Sequence, residues 1–439
     1  MDISLNRRLG AGGLALALET AGWPLLLTAL LAMDPLSIAR ADNAAVLPAG
    51  VSRVYGDFYH YLPTTERYNP DGDREDIAYP YTNASLDSDV LTVLAPLDPL
   101  VGGNASIGDV AVSYEYDIDV LDAGYNYGIN DKLTVGFHIP YYWIRNNVDA
   151  SFSSANANVG LNPATGACCI PIALGGQPMD TQDVQNLIQS EYGFSPIENW
   201  SGEGIGDIEV GAKYRFFLEK SSAFAMTGGL RIPTGHADDP DDLTDVAWSY
   251  GNYALLLRLH YDYKLSNLWR KTPTQLHQLV PAPGDVIFNT TFRFDYMLPD
   301  QKVKRVGDSP DQTFTNNREK VSRKLGNLFN IEVSGKYQIS EAFAFTALYT
   351  YAFKQKDQIS GTMGYDYASL EANTDATQQV LILRASYSTL GAYREKKTAI
   401  PMEITLAYRN RFAGQGPRSA EANPVLDTSW IVASLNVLF

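Results

Sequence analysis

The chain has 439 residues, of which 45% are hydrophobic, 11% aromatic and only 19% charged, with a net charge of −16. So acidic a balance argues against nucleic acid or any other polyanion as a partner. After Met33 no apolar run reaches the roughly 18 residues of a membrane helix, which excludes a helical membrane protein.

The first 41 residues read as an export signal. Arg7 and Arg8 precede an apolar stretch from Leu9 to Met33, and Ala39-Arg40-Ala41 has the small-x-small form of a cleavage site. Residues 42–439 then form one unit. Its 27 Tyr exceed its 17 Phe, and Tyr is the aromatic that rests its ring in lipid and its hydroxyl in water.

From Val51 onward the chain alternates with a period of two, the signature of strands with unlike faces. "VSRVYGDFYHYL" and the stretch 108–129 supply at least two strands, and 132–145 a third. Over 206–217, Ile208, Val210, Tyr214 and Phe216 oppose Asp207, Glu209, Lys213 and Arg215. After a strand at 222–233, the segment 248–265 sets Leu255, Leu257, Leu259 and Tyr261 against Arg258, His260, Asp262 and Lys264. Strand 285–298 turns Arg293 and Asp295 to the polar side, and 328–338 does so with Glu332 and Lys336. Beyond 341–354, Arg384 occupies that side in 378–390, and Glu403, Arg409 and Arg411 occupy it in 399–411. The last strand, 427–439, ends on Phe439 with Ile431, Ala433, Leu435 and Val437 on the same face.

One face is rich in Leu, Phe and Tyr, and the other carries charges of both signs. That contrast suits a lipid-facing wall and a hydrated lumen. The expected fold is all-β, a transmembrane antiparallel barrel of about 12 strands (12–14), with the sixteen polar-face residues lining its lumen.

The connections supply a separate test. Tight turns are expected at "YGINDKL", "LEKSS", "YKLSNLW" and "YQISEAF", and a slightly longer one at "GAYREKK". They alternate with long polar connections at 146–205, 234–247, 299–327, 355–377 and 412–426. Bacterial outer-membrane barrels place short turns in the periplasm and long loops outside. The final strand then runs inward, pairs with a strand from the other end of the chain, and offers Phe439 to the barrel-assembly machinery. The expected surroundings are the lipid bilayer and lipopolysaccharide. The segment 266–284 is too long for a periplasmic turn, and the sequence offers no reason for it.

No catalytic set emerges. The five His are His60, His138, His236, His260 and His277. His260 falls on the polar face beside Arg258 and Asp262, where a bonded wall residue is expected, and His138 could face either way. No strand pairs a His with an outward Ser, and there is no G-x-S-x-G elbow, which disfavours a lipid-hydrolysing barrel. "HADDPDDLTD" is acidic enough for calcium but lacks the spacing of a calcium loop, so a solvated acidic loop is expected. Neither a metal nor a cofactor is expected. The adjacent Cys168 and Cys169 form either a vicinal disulfide or two loop thiols.

Within 146–205 one stretch predicts a helix near 180–193. Asp180 is its N-cap and Gly193 its C-cap, and Val184, Leu187, Ile188 and Tyr192 form an apolar stripe. The nearest place to bury that stripe is the inside of the barrel mouth, where the helix would act as a gate.

"GEGIGDIEVGAKYRF" (Gly202–Phe216), "PMDTQDVQNLI" and "YGINDKLTVGFHIPY" resemble the outer-membrane protein family associated with meta-cleavage degradation of phenols. The resemblance covers about 110–265 and the C-terminal strand. Its members are described as transporters, which implies passive uptake of small hydrophobic or aromatic molecules and carries over no catalytic residue. A lipid hydrolase and a structural or adhesive barrel without a conduit are the alternatives.

Overall fold

In the computed structural model, residues 43–79, 84–278, 280–308, 314–417 and 424–439 are described. The expected signal, 1–41, lies outside them.

Twelve strands close one antiparallel barrel. In chain order they are β1 (Ser52–Tyr61), β2 (Ser106–Asn130), β3 (Leu133–Ser153), β4 (Ile208–Leu218), β5 (Ser222–Ile232) and β6 (Ala254–Lys264). The second half comprises β7 (Val286–Met297), β8 (Leu328–Gln338), β9 (Phe343–Lys354), β10 (Ala376–Ser388), β11 (Met402–Gln415) and β12 (Ser429–Leu438). Each pairs with its predecessor, and β12 closes on β1 with Arg53 opposite Leu438 and Tyr61 opposite Trp430. Ser52 and Phe439 exchange backbone hydrogen bonds of 2.8 and 3.0 Å across that seam. The chain thus ends in mid-strand without fraying, because closure leaves the barrel no free edge.

The faces separate along every strand. On β6, Leu255, Leu257 and Leu259 are exposed on the outside while Arg258, His260, Asp262 and Lys264 are buried within. Val210, Tyr214, Phe216, Phe292, Ile331, Val333 and Tyr337 continue the greasy outer wall around the barrel. No helix among the described residues is long and apolar enough to cross a membrane.

Two expectations about connections need correction. "YKLSNLW" is no tight turn: β6 stops at Lys264 and β7 starts only at Val286. Between them Leu265–Leu268 makes a 3₁₀ turn, and Asn267 holds Thr274 through two hydrogen bonds of 2.9 and 3.0 Å. The chain is then drawn back beneath the barrel. The stretch 146–205 is likewise not all loop. β2 and β3 have 25 and 21 residues against the ~10 that cross a bilayer, so they rise past the rim as a tower. Ala84–Asp87 and Trp200–Ile205 pair onto the tower's two edges.

The helix forms at Thr181–Tyr192. Asp180 accepts from the Asp183 backbone N–H at 2.9 Å, Asp183 returns the bond at 3.0 Å, and Gly193 ends the helix at φ 66°. Only glycine takes that left-handed turn without strain. Val184, Leu187, Ile188 and Tyr192 are buried as a stripe, but against Leu86, Leu91, Leu94, Ile107 and Phe314 of the tower and its loops. At roughly 1.5–3 kcal/mol per large side chain, that burial holds the helix to the tower. The dry surface that takes the stripe belongs to the tower and its loops, not to the barrel's inner wall.

Candidate functional site in the barrel interior

The interior divides into three layers. The loop-side half is packed with apolar and aromatic side chains. On β2, Val112, Tyr114, Tyr116, Ile118 and Val120 all point inward and are buried. Tyr59 and Tyr61 of β1, Tyr142 and Ile144 of β3, and Trp430 and Val432 of β12 join the same cluster. Tyr61 stacks on Trp430 at 5.0 Å between ring centres, and the Arg409 and Arg411 guanidiniums lie 4.8 and 5.6 Å from the Trp430 ring. Two loop segments complete the plug, Ile77–Ala78 and Val246–Trp248.

Below it lies a layer of paired charges centred on Glu209. Its carboxylate accepts from Arg231 at 2.8 Å, Arg258 at 3.1 Å and Arg293 at 3.5 Å, and meets His138 Nε2 at 3.1 Å. Asp295 sits 2.8 Å from Arg293 and 2.9 Å from Arg231, and Asp122 3.0 Å from His138 Nδ1. Arg258 and Arg293 stand directly opposite each other on β6 and β7, a repulsive pairing that only the interposed carboxylates make tolerable.

The turn-side half contains a cavity of about 890 Å³. Asp122, His138, Glu209 and Arg258 roof it. Gly136, Gly211 and Gly229, side by side on β3, β4 and β5, leave part of its wall bare. Its floor carries the apolar side chains Val46, Leu47, Pro48 and Leu276 beside Asn43 and His277.

The remaining expected lumen residues fall into distinct roles. Lys213 donates to the Asn43 carbonyl at 2.8 Å, and Arg215 to the Asp131 carbonyl at 2.7 Å and toward His277 at 3.3 Å. Asp262 accepts from the Ala44 N–H at 3.1 Å, from His277 Nε2 at 2.6 Å and from Asn289 at 2.6 Å. Lys264 pairs with Asp285 at 2.6 Å and donates to the Gln275 carbonyl at 2.9 Å. These four side chains therefore tie down the floor, made of 43–50 and of the 266–284 segment. His260 is bonded to Thr227 at 2.8 Å and Thr291 at 3.2 Å. Lys336, Arg384 and Glu403 border the cavity, Arg384 buried and the other two half-buried. Glu332 is half-buried on the inner parity of β8, and Asp207 accepts from Ser249 at 2.6 Å at the β4 rim.

The acidic loop is consumed by bases. Asp238 pairs with Lys304 at 2.6 Å, and Asp241 with Arg305 and Arg318 at 2.8 and 2.7 Å. Asp245, almost fully buried, meets His236 Nε2 at 2.8 Å. The hydrogen bond that His236 donates to Asp245 raises the His236 pKa above its ordinary value, while burial raises that of Asp245. His60 faces outward at the rim, 2.8 Å from Asp119. Cys168 and Cys169 are joined by a disulfide within a small hairpin.

A closed antiparallel barrel with a greasy outer wall, turns at one end and long loops at the other defines a bacterial outer-membrane protein. Its turn end is the periplasmic end. No model of a known protein family matches the sequence, and neither does any curated protein. Among solved structures it is similar to the COG4313 outer membrane channel from Pseudomonas putida F1, at 12% identity over 91% of this chain and 99% of that one, with a TM-score of 0.49. It is also similar to a Pseudomonas aeruginosa FadL homologue, at 11% identity over 95% and 99% of the two chains (TM-score 0.30). A third likeness is to the TodX deltaS2S3 mutant monoaromatic hydrocarbon channel, at 10% identity over 90% and 92% (TM-score 0.34). At these identities the likeness is one of fold.

Proposed function

We propose that the protein is a passive outer-membrane channel for small, largely apolar molecules, with aromatic compounds as the preferred class. The observation that carries this reading is the inner face of β2, where five successive inward positions from Val112 to Val120 are apolar before Asp122 begins the charged layer. A water-filled general pore has polar inner walls throughout. An apolar entrance running from the tower's inner face into the barrel instead favours solutes that gain by leaving water. The resemblance of Gly202–Phe216 to the phenol meta-cleavage family points the same way, toward phenolic and related rings.

The charged layer is the selectivity element in this reading. Its carboxylates and guanidiniums neutralise one another, so it disfavours ions of either sign while offering hydrogen bonds to a hydroxyl. The helix Thr181–Tyr192 braces the tower beside the mouth, and Phe439 serves assembly as the closing lipid-facing aromatic. Liposome swelling with neutral aromatic glycosides, compared with sugars of equal size, tests the reading. Aromatic solutes should enter several-fold faster, and equal rates would overturn the apolar preference.

A further inference from the structure

Eight consecutive residues of one external loop, Leu243 to Tyr250, are buried, yet the segment has no helix or strand of its own. External loops normally meet water and carry polar residues. This one inserts Val246 and Trp248 into the aromatic plug. The other inserted pair, Ile77–Ala78, follows directly on Arg74–Asp76, which belongs to a small sheet with Glu66–Tyr68 and Val425–Leu426. Detaching Ile77 therefore means breaking a sheet, whereas 243–250 is anchored by packing at its ends, Leu243 on the helix stripe and Tyr250 on Leu256, Met297 and Leu325, and at separate points between them.

Those points are identifiable. Asn146 of β3 donates to the Thr244 carbonyl at 3.0 Å, and the Trp248 indole N–H donates to the Ile205 carbonyl at 3.0 Å. Ser249 donates to Asp207 at 2.6 Å. From outside, His236 clasps Asp245 at 2.8 Å and lies over Trp248 at 4.9 Å between ring centres, with Trp200 at 6.2 Å on the tower side. Asp245 also accepts from the Asp239 N–H at 2.9 Å. His236 is about a third exposed, while Asp245 is sealed beneath it.

We propose that Leu243–Tyr250 is the outer gate of the channel, lifting from the mouth as one strap hinged near its two ends, with His236–Asp245 as its latch. The inference rests on the channel reading and adds which element moves. Withdrawing Val246 and Trp248 opens the apolar face of β2 to the outside without disturbing a barrel strand. The helix Thr181–Tyr192 stays in place, since its stripe packs on the tower and, of the strap, only on Leu243 at the hinge end.

The test locks the strap. In a background with Cys168 and Cys169 replaced by Ser, Asn146→Cys and Thr244→Cys are joined by oxidation or a short bis-maleimide. Swelling of proteoliposomes in phenyl β-glucoside is then measured. Swelling should fall at least tenfold when the pair is oxidised and return on reduction. Equal swelling in both states would overturn the gate. If the uncross-linked protein admits neither phenyl glucoside nor potassium chloride, the channel reading fails and takes the gate with it. A second variant, Asp245→Ala, tests the latch without a cross-link. It should raise the swelling rate several-fold, and an unchanged rate would show that His236–Asp245 does not hold the strap.

Discussion

The two halves of the barrel interior are built from the same alternation yet are opposites in chemistry. Toward the loops, the inward positions of β1, β2, β3 and β12 carry Tyr, Trp, Val and Ile in one buried cluster. Toward the turns, inward positions carry Asp, Arg, Lys and His around a cavity of about 890 Å³. The outer wall is greasy toward the turns, but on β2 the outward positions of the loop-side half are Ser113, Glu115, Asp117 and Asp119, so there the apolar side chains turn inward onto the plug.

Removing the hub of the charged layer should have the largest effect. Glu209→Leu leaves Arg231, Arg258 and Arg293 facing one another with Asp295 as their remaining close carboxylate, a loss of about 3–5 kcal/mol for a broken buried pair. Urea unfolding from lipid vesicles measures it, and the cavity should become anion-selective. Trp430→Ala in the plug should cost a similar or slightly smaller amount, about 3–5 kcal/mol for a buried aromatic. It should raise conductance and leave ion selectivity alone. If the two variants change selectivity alike, the interior is one environment and not two.

The wall itself gives the next contrast. Leu257→Arg, on the lipid face of β6, should cost about 2–4 kcal/mol near the midplane. Its neighbour Arg258→Leu should cost less, because Glu209 keeps Arg231 and Arg293. The reverse ranking in vesicle unfolding would mean that β6 is registered the other way. The smallest effect concerns the strap. Asp245 raises the His236 pKa above 6.5, so protonated His236 favours the closed loop. That contribution is fully present below pH 6.5 and fades as pH rises through the raised value. Backbone amides of 243–249 should therefore exchange hydrogen faster as pH climbs past neutrality, after correction for intrinsic exchange. His236→Ala should remove that pH dependence.

Much of the barrel was legible because lipid imposes a strict period of two. The strand count and the inner parity of Arg258 to Lys264 follow from it. The helix was legible too, since Asp180, Gly193 and the stripe are local signals. Its burial partner was not, because a stripe records that a surface is dry and says nothing of which surface. The plug was hidden for a related reason. Trp430 lies on a strand apolar on both faces, where contrast reveals nothing, and on β2 the contrast is reversed, with Tyr114 buried inside and Glu115 exposed outside. The floor was signalled only by an oddity, the over-long 266–284 connection. Its anchors on Asp262 and Lys264 are long-range contacts that no spacing encodes.

The division of the interior is tested most directly by placing single cysteines along the inner face of β2, at Val112, Tyr116, Asp122 and Asn126. A membrane-impermeant thiol reagent is then applied from each side of an oriented membrane. Cysteines at 122 and 126 should react from the periplasmic side only, and those at 112 and 116 should be protected from both. Rapid labelling at 112 and 116 from outside, with protection at 122 and 126, would contradict a sealed outer half above an open inner one.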